Sequence, residues 1–283
     1  MLKILRIEQW SKNIIIFLPL IFSRNFSFIN LGDMFFFFLF FSLTVSGTYI
    51  VNDIIDFEQD KVHPTKKFRP LPSGRMELNF AKLYSFIIIF INLTLIFINF
   101  NSTFNYVLLY IIFTISYSLK IKYVKYLDIL SLTLFFILRL LLGSILFKIE
   151  ITLLLNLFLI TTLTVIGLGK KYSIFLDKHI DQKSKIKQIL NKNYSKKEFE
   201  NLLITFSISS VLIYLFWGIE KLQFLEIKYI YLALSMLGLT MFFYNFFIDS
   251  RKAKTENFLS WMYNLKKIFN LTIIFFCTLG ILF

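Results

Sequence analysis

A single cysteine in 283 residues, Cys277, excludes an intrachain disulfide framework and a thiolate-rich metal site. Histidine is nearly as scarce. His63 and His179 fall in different loops, so a histidine metal centre has no pair to build on; His63 reads as a phosphate contact or as a helix stop ahead of Pro64. The nine glycines and four prolines form no long flexible linker, which leaves a second folded domain nowhere to sit. Acidic residues are also few, 17 against 31 lysines and arginines, for a net charge of +14. In a soluble chain that balance would suggest nucleic acid, but here membrane topology accounts for it and no nucleic-acid partner is expected.

What is abundant is apolar. Hydrophobic residues make up 57% of the chain and aromatics 19%, with a mean hydropathy of +0.70, the composition of an integral membrane protein. Nine runs are about long enough to cross a bilayer as helices: 13–28, 34–51, 81–100, 103–119, 127–147, 151–168, 202–217, 229–248 and 269–283. The runs are continuous, not alternating, so helices are preferred to a barrel. The expected fold is all-α, a polytopic membrane protein forming one domain over residues 1–283. The tract "MFFFFLFF" reads as lipid-facing filler, and "NIIIFLPLIF" as a retained first span. With the N-terminus in the cytoplasm, 26 of the 31 lysines and arginines lie on that side, which orients the chain by the positive-inside preference. The long cytoplasmic loops, about 52–80 and 169–200, would form a polar cap; within the second, Ser195 reads as the start of a capped, solvated helix.

The chemistry concentrates in "YIVNDIIDFEQDKVHPTKKFRPLPSG", residues 49–74. Asn52, Asp56 and Asp60 are four apart and Asp53 lies three before Asp56, so a helix would carry all four on one face. Three carboxylates at the end of a membrane span repel one another and are costly to desolvate, so something cationic belongs between them. A hard divalent ion suits the oxygen donors of Asn52, Asp53, Asp56 and Asp60, and magnesium usually keeps waters and phosphate oxygens as its other ligands. The alternative is a helix end whose acids pair with Lys61, Lys66, Lys67 and Arg69. Carboxylates followed at once by "HPTKKFRP" favour the first, because a diphosphate leaving group needs both metal ligands and phosphate-binding cations.

"NDIIDFEQD" is similar to the first aspartate motif, NDxxDxxxD, of the UbiA superfamily of intramembrane prenyltransferases, and "RPLPSG" resembles the stretch just C-terminal to that motif. The nine runs agree with that superfamily's nine-helix bundle. More narrowly, "QWSKNIIIFLPL", "NDIIDFEQDKVHPTKKFRPLPSG", "YSLKIKYVKYLDILSLTLFFILRLLLGS" and "GLGKKYS" resemble, in order, the blocks of the decaprenyl-phosphate phosphoribosyltransferases (5-phosphoribose-1-diphosphate synthase type), over residues 6–175. That resemblance implies transfer of phosphoribose from phosphoribosyl diphosphate to a polyprenyl phosphate in the membrane, with Mg2+ on Asp53, Asp56 and Asp60 and release of pyrophosphate. Lys66, Lys67 and Arg69 would hold donor phosphate oxygens, with Arg75 a weaker candidate. Lys12 and Asn13 would receive the lipid phosphate, and Lys170, Lys171 and Tyr172 would bind the ribose 5-phosphate or the diphosphate of the donor. Arg139, in mid-span, would face a central cavity, as would Asp128, about 16 Å away along the helix and too far for a salt bridge.

Two features depart from the resemblance. Asp177 and Asp181, four apart in "DKHID", are either a second metal site, as in other UbiA enzymes, or polar loop residues; and "DSRKAKTENF" keeps Glu256 without the family's proline, so no role is carried onto it. Two other functions stay open. One is prenyl transfer from a prenyl diphosphate to an aromatic or other acceptor; the other is a transporter or lipid-binding protein, which would need broken helices paired between two halves. A homo-oligomer is compatible with the sequence.

Overall fold

The computed structural model describes residues 4–22, 28–61, 66–177, 185–222, 226–255, 258–262 and 264–282, and every regular element among them is helical. The chain divides into two compact units, residues 1–150 with 183–185, and residues 151–182 with 186–283.

The first unit begins with a 3-10 segment, Ile7–Phe17, that runs into α1 (Leu18–Phe22). It continues with α2 (Phe28–Ile55), α3 (Phe57–Lys61), a 3-10 turn at Lys66–Phe68, α4 (Leu78–Asn99), α5 (Asn101–Leu119), a 3-10 turn at Ile121–Tyr123 and α6 (Leu127–Phe147). The second contains α7 (Leu153–Leu176), α8 (Lys185–Asn193), α9 (Lys196–Lys221), α10 (Glu226–Arg251), α11 (Phe258–Met262) and α12 (Leu265–Leu282). In it α7 packs on α9, and α10 packs on α7, α9 and α12.

Eight of these helices, α2, α4, α5, α6, α7, α9, α10 and α12, are long and apolar enough to cross a membrane, four in each unit. Among the described residues this is one short of the nine runs in the sequence. The missing one is the first: its described residues are the tight 3-10 segment and the five-residue α1, and 23–27 lie outside the described residues.

The phenylalanine tract corrects the expectation of lipid-facing filler. Met34, Phe37 and Phe41 are fully buried in the first unit's core with Val45, Tyr110 and Leu142, whereas Phe35 and Phe36 are exposed. An unbroken apolar run wraps the whole helix, so its i, i+4 members must face inward while the rest face lipid.

The N-terminal segment lies hard against α6. A Cβ on Gly143 would come within 2.1 Å of the Ile16 carbonyl oxygen, so only glycine allows this approach. One turn earlier on α6 is Arg139, and three residues before Ile16 is Asn13; the close backbone contact brings those two side chains together. In the second unit, Ser195 caps α9 as its sequence suggests, its hydroxyl accepting the Glu198 N–H at 3.1 Å.

Candidate active site

Helix α2 ends at Ile55 and α3 starts at Phe57, yet the helical register passes through the junction. The Asp56 N–H donates to the Asn52 carbonyl at 2.9 Å and the Asp60 N–H to the Asp56 carbonyl at 2.8 Å. The three aspartates therefore share a face as their spacing predicts, and all are buried, Asp53 and Asp60 to 2% exposure.

Each carboxylate has taken a cation. Arg69 Nη1 donates to Asp53 Oδ1 at 3.0 Å and to Asp60 Oδ2 at 2.7 Å, so one nitrogen sits where two aspartates meet. Arg6 Nη2 donates to the same Asp53 oxygen, and Lys66 Nζ lies 3.3 Å from Asp60 Oδ1. Asp56 Oδ1 accepts from Lys122 Nζ at 2.6 Å. Lys61 is drawn off to Glu58, and the exposed Lys67 lies against the Phe68 ring. Asn52 is half-buried at the edge of this face.

Among the described residues, no group of three His, Cys, Asp or Glu side chains is arranged to hold a metal ion. Each carboxylate is neutralised by a cation, as mutual repulsion in a poorly solvated place requires, and Asp56 pairs apart from the other two, with Lys122. The donor set still fits a hard cation in part, because Asp53 and Asp60 already converge on a single positively charged atom. Four cations against three carboxylates leave the cluster one charge positive, which suits a magnesium diphosphate better than a bare metal ion.

The sequence pattern does not single out Arg6 or Lys122. They lie 47 and 66 residues from their aspartates, beyond any local pattern. For Lys122 the one available signal is its place in the block "YSLKIKYVKYLDIL"; for Arg6 it is structural, a left-handed backbone (φ 50) uncommon for arginine.

A second polar group in the first unit involves Lys12, Asn13 and Arg139. Arg139 is 3% exposed; its Nε donates to Asn13 Oδ1 at 2.7 Å, its Nη2 to the Tyr110 hydroxyl at 2.6 Å and its Nη1 to the Phe135 carbonyl at 2.8 Å. Asn13 Nδ2 in turn donates to Ser42 Oγ at 2.9 Å. Arg139 and Asn13 are thus occupied with one another, binding the N-terminal segment to α2, α5 and α6. Lys12 is half-buried and makes no hydrogen bond or ion pair among the described residues; desolvation first, then repulsion from Arg139 and Arg6, pull its pKa down to about 8. Trp10, on the same segment, donates from Nε1 to Ser46 Oγ at 3.0 Å.

In the second unit, Lys170, Lys171 and Tyr172 occupy the last two turns of α7. Tyr172 is fully buried and donates from its hydroxyl to Glu200 Oε1 at 2.8 Å; the same oxygen lies 3.1 Å from Arg251 Nε. Lys171 is buried and Lys170 half-buried. Asp177 caps α7, and its carbonyl accepts from Lys187. His63, His179, Asp181 and Glu256 lie outside the described residues.

The UbiA prenyltransferase family model matches residues 13–266. An uncharacterised protein, y4nM, of Sinorhizobium fredii is 33% identical over 149 residues, half of this chain and 28% of that protein. Decaprenyl-phosphate phosphoribosyltransferase of Corynebacterium glutamicum is 36% identical over 88 residues, 29% of this chain and 25% of the enzyme, so each of these matches spans little more than a quarter of the relative. Among solved structures, one described as concerning digeranylgeranylglyceryl phosphate synthase in membranes superposes with a TM-score of 0.69 at 20% identity, covering 98% of this chain and 95% of that one. A UbiA homologue from Archaeoglobus fulgidus, bound to GPP and Mg2+, gives 0.64 at 15% identity over 99% and 96%. At such identities the superpositions speak for the fold alone, but the family match runs from the N-terminal segment through both units to α12, taking in the aspartate face: the chain is an integral membrane protein of the UbiA prenyltransferase family.

Proposed function

We propose that the protein transfers phosphoribose from phosphoribosyl diphosphate to a polyprenyl phosphate, releasing pyrophosphate. The observation that carries this reading is the buried cluster in which Asp53 and Asp60 share one guanidinium while the cations outnumber the carboxylates. The partial match to decaprenyl-phosphate phosphoribosyltransferase supports the choice of donor.

In this reading an oxygen of the lipid phosphate forms a bond to the anomeric carbon as the bond from that carbon to the diphosphate breaks. Both electrons of the broken bond leave with pyrophosphate, and no protein nucleophile intervenes. Magnesium, when bound, supplies positive charge against the departing diphosphate; Asp53 and Asp60, with Asp56 and Asn52, would hold it. Arg6, Lys66, Arg69 and Lys122, released from their aspartates, turn to phosphate oxygens. Fork-shaped guanidinium groups suit the diphosphate, and lysines supply point charges. Lys12 takes the lipid phosphate and Lys170 and Lys171 a donor phosphate, while Tyr172, buried with its hydroxyl on Glu200, braces that turn of α7. Residues 1–283 work as one catalytic membrane domain with loops 52–80 and 169–200 both required, and the reaction runs on the cytoplasmic face, where the positive-inside count places the basic loops.

The test is to incubate the purified protein and magnesium with polyprenyl phosphate and phosphoribosyl diphosphate, following lipid-extractable ribose by mass spectrometry. A magnesium-dependent phosphoribosyl lipid is the expected product. A parallel reaction supplies a prenyl diphosphate and an aromatic acid; product in that arm alone replaces this reading with prenyl transfer, the activity for which the family is named.

The depressed pKa of Lys12 adds a pH dependence. Below about 8 its ammonium is charged and attracts the lipid phosphate, which is already largely dianionic above pH 7; above 8 the charge is lost by about tenfold per pH unit. The KM for polyprenyl phosphate should therefore climb between about pH 8 and pH 9, and Lys12→Arg should flatten the climb. An identical pH profile in wild type and Lys12→Arg would remove Lys12 from the acceptor site.

A further inference from the structure

The segment that follows α10 carries no role so far, yet it is fastened to the basic end of α7 by a closed set of hydroxyl contacts. Thr255 is fully buried, and so are Ser173 and Ser250. The Thr255 hydroxyl donates to the Gly169 carbonyl at 2.9 Å, and the Thr255 N–H donates to Ser173 Oγ at 3.1 Å. Ser173 Oγ and Thr255 Oγ1 are 2.6 Å apart, and Ser250 Oγ lies 2.9 Å from Thr255 Oγ1. Each hydroxyl has one proton and two lone pairs. With Thr255 giving its proton to Gly169, its oxygen is left to accept from Ser173, so the threonine closes the set from both sides.

The backbone is shaped to deliver this contact. Two residues past the end of α10 stands a left-handed residue, Ala253 (φ 56), with the Ala253 N–H on the Ser250 carbonyl and the Lys254 N–H on the Asp249 carbonyl, both at 3.0 Å, the pairing that reverses a chain at a helix end. Gly169 lets the helices approach: a Cβ there would lie 2.2 Å from the Phe246 ring and 2.9 Å from Ser250 Oγ. Gly169 and Ser173, one turn apart, bracket Lys170, Lys171 and Tyr172, and Tyr172 is held on its other side by Glu200.

We infer that Thr255 is a positioning residue which, through Gly169 and Ser173, fixes the end of α7 so that "GKKYS" presents its cations to a diphosphate. This rests on the reading of that stretch as an anion site. Pyrophosphate is the product common to phosphoribosyl and prenyl transfer, so it probes the site under either.

The experiment measures magnesium pyrophosphate binding to the full-length protein in detergent by calorimetry, together with amide exchange over residues 169–176. Thr255→Val keeps the shape and removes the hydroxyl; it should weaken binding about tenfold and speed exchange, while Thr255→Ser restores both. Ser173→Ala should match Thr255→Val, and the double variant should be no worse than either, since one interaction cannot be lost twice. Should Thr255→Val fail to fold, Ser173→Ala and Thr255→Ser carry the comparison. Wild-type affinity in Thr255→Val, or in Ser173→Ala, overturns the inference. Lys170→Gln then separates the causes: weakened binding there leaves the anion site standing without the positioning role, and unchanged binding removes both.

Discussion

Asp56→Asn should yield a folded protein whose turnover is reduced about a thousandfold. The carboxylate is 8% exposed and accepts from Lys122 at 2.6 Å. Asparagine keeps the size and one acceptor oxygen, so the contact that ties the turn at Ile121–Tyr123 to the end of α2 survives. What goes is the negative charge, and with it the hard oxygen ligand that the proposed reading assigns to Asp56. Loss of one preorganised group aimed at developing charge costs about 100- to 1,000-fold in rate, and a metal ligand belongs at the upper end. Elution as a monodisperse peak in detergent, beside the product assay, separates loss of chemistry from loss of fold. Normal turnover in this variant would falsify the role assigned to the aspartate face.

The second large effect concerns the guanidinium between Asp53 and Asp60. Arg69→Met leaves two buried carboxylates facing each other, with only Arg6 and Lys66 on their outer sides. Breaking a buried pair costs about 3–5 kcal/mol, and the one-third exposure of the arginine and its two helpers reduces this to about 2 kcal/mol. Magnesium should restore part of that loss. The vacated position lies where carboxylate oxygens already converge, and a ligand at a hundred times its Kd adds about 2.7 kcal/mol to folding stability. A thermal melt with and without magnesium reads the difference: a larger rise in the variant than in the wild type is expected, while equal rises would mean that Asp53 and Asp60 do not jointly hold the ion. On the proposed reading catalysis should be lost in either case, because Arg69 then also serves the diphosphate.

The aspartate face could be read from spacing alone because a helix fixes it locally: residues three and four apart must share a side, even across the break at Asp56. The same holds for the Ser195 cap and for most of the membrane helices, whose length and composition suffice. Arg6 and Lys122 escaped because their partners lie far along the chain, where only packing decides the pairing. Phe37 and Phe41 escaped for another reason. A run that is apolar at every position has no period, so nothing in it distinguishes the inward face from the outward one. Arg139 was legible as a functional oddity, a charge in mid-span, but its bond to Asn13 depends on an approach that only Gly143 permits.

That same arginine constrains how the protein is made. A charged side chain near the middle of a membrane helix costs about 2.5–3.5 kcal/mol to insert, and α6 must carry it into the bilayer. Its two side-chain hydrogen-bond partners lie 126 and 29 residues nearer the N-terminus, so both have been synthesised before Arg139 emerges. The N-terminal segment and α5 can therefore be waiting in the membrane as a polar berth when α6 arrives. Truncation of the N-terminal segment would then be felt more than a hundred residues downstream, where Arg139 would enter the membrane without its Asn13 acceptor.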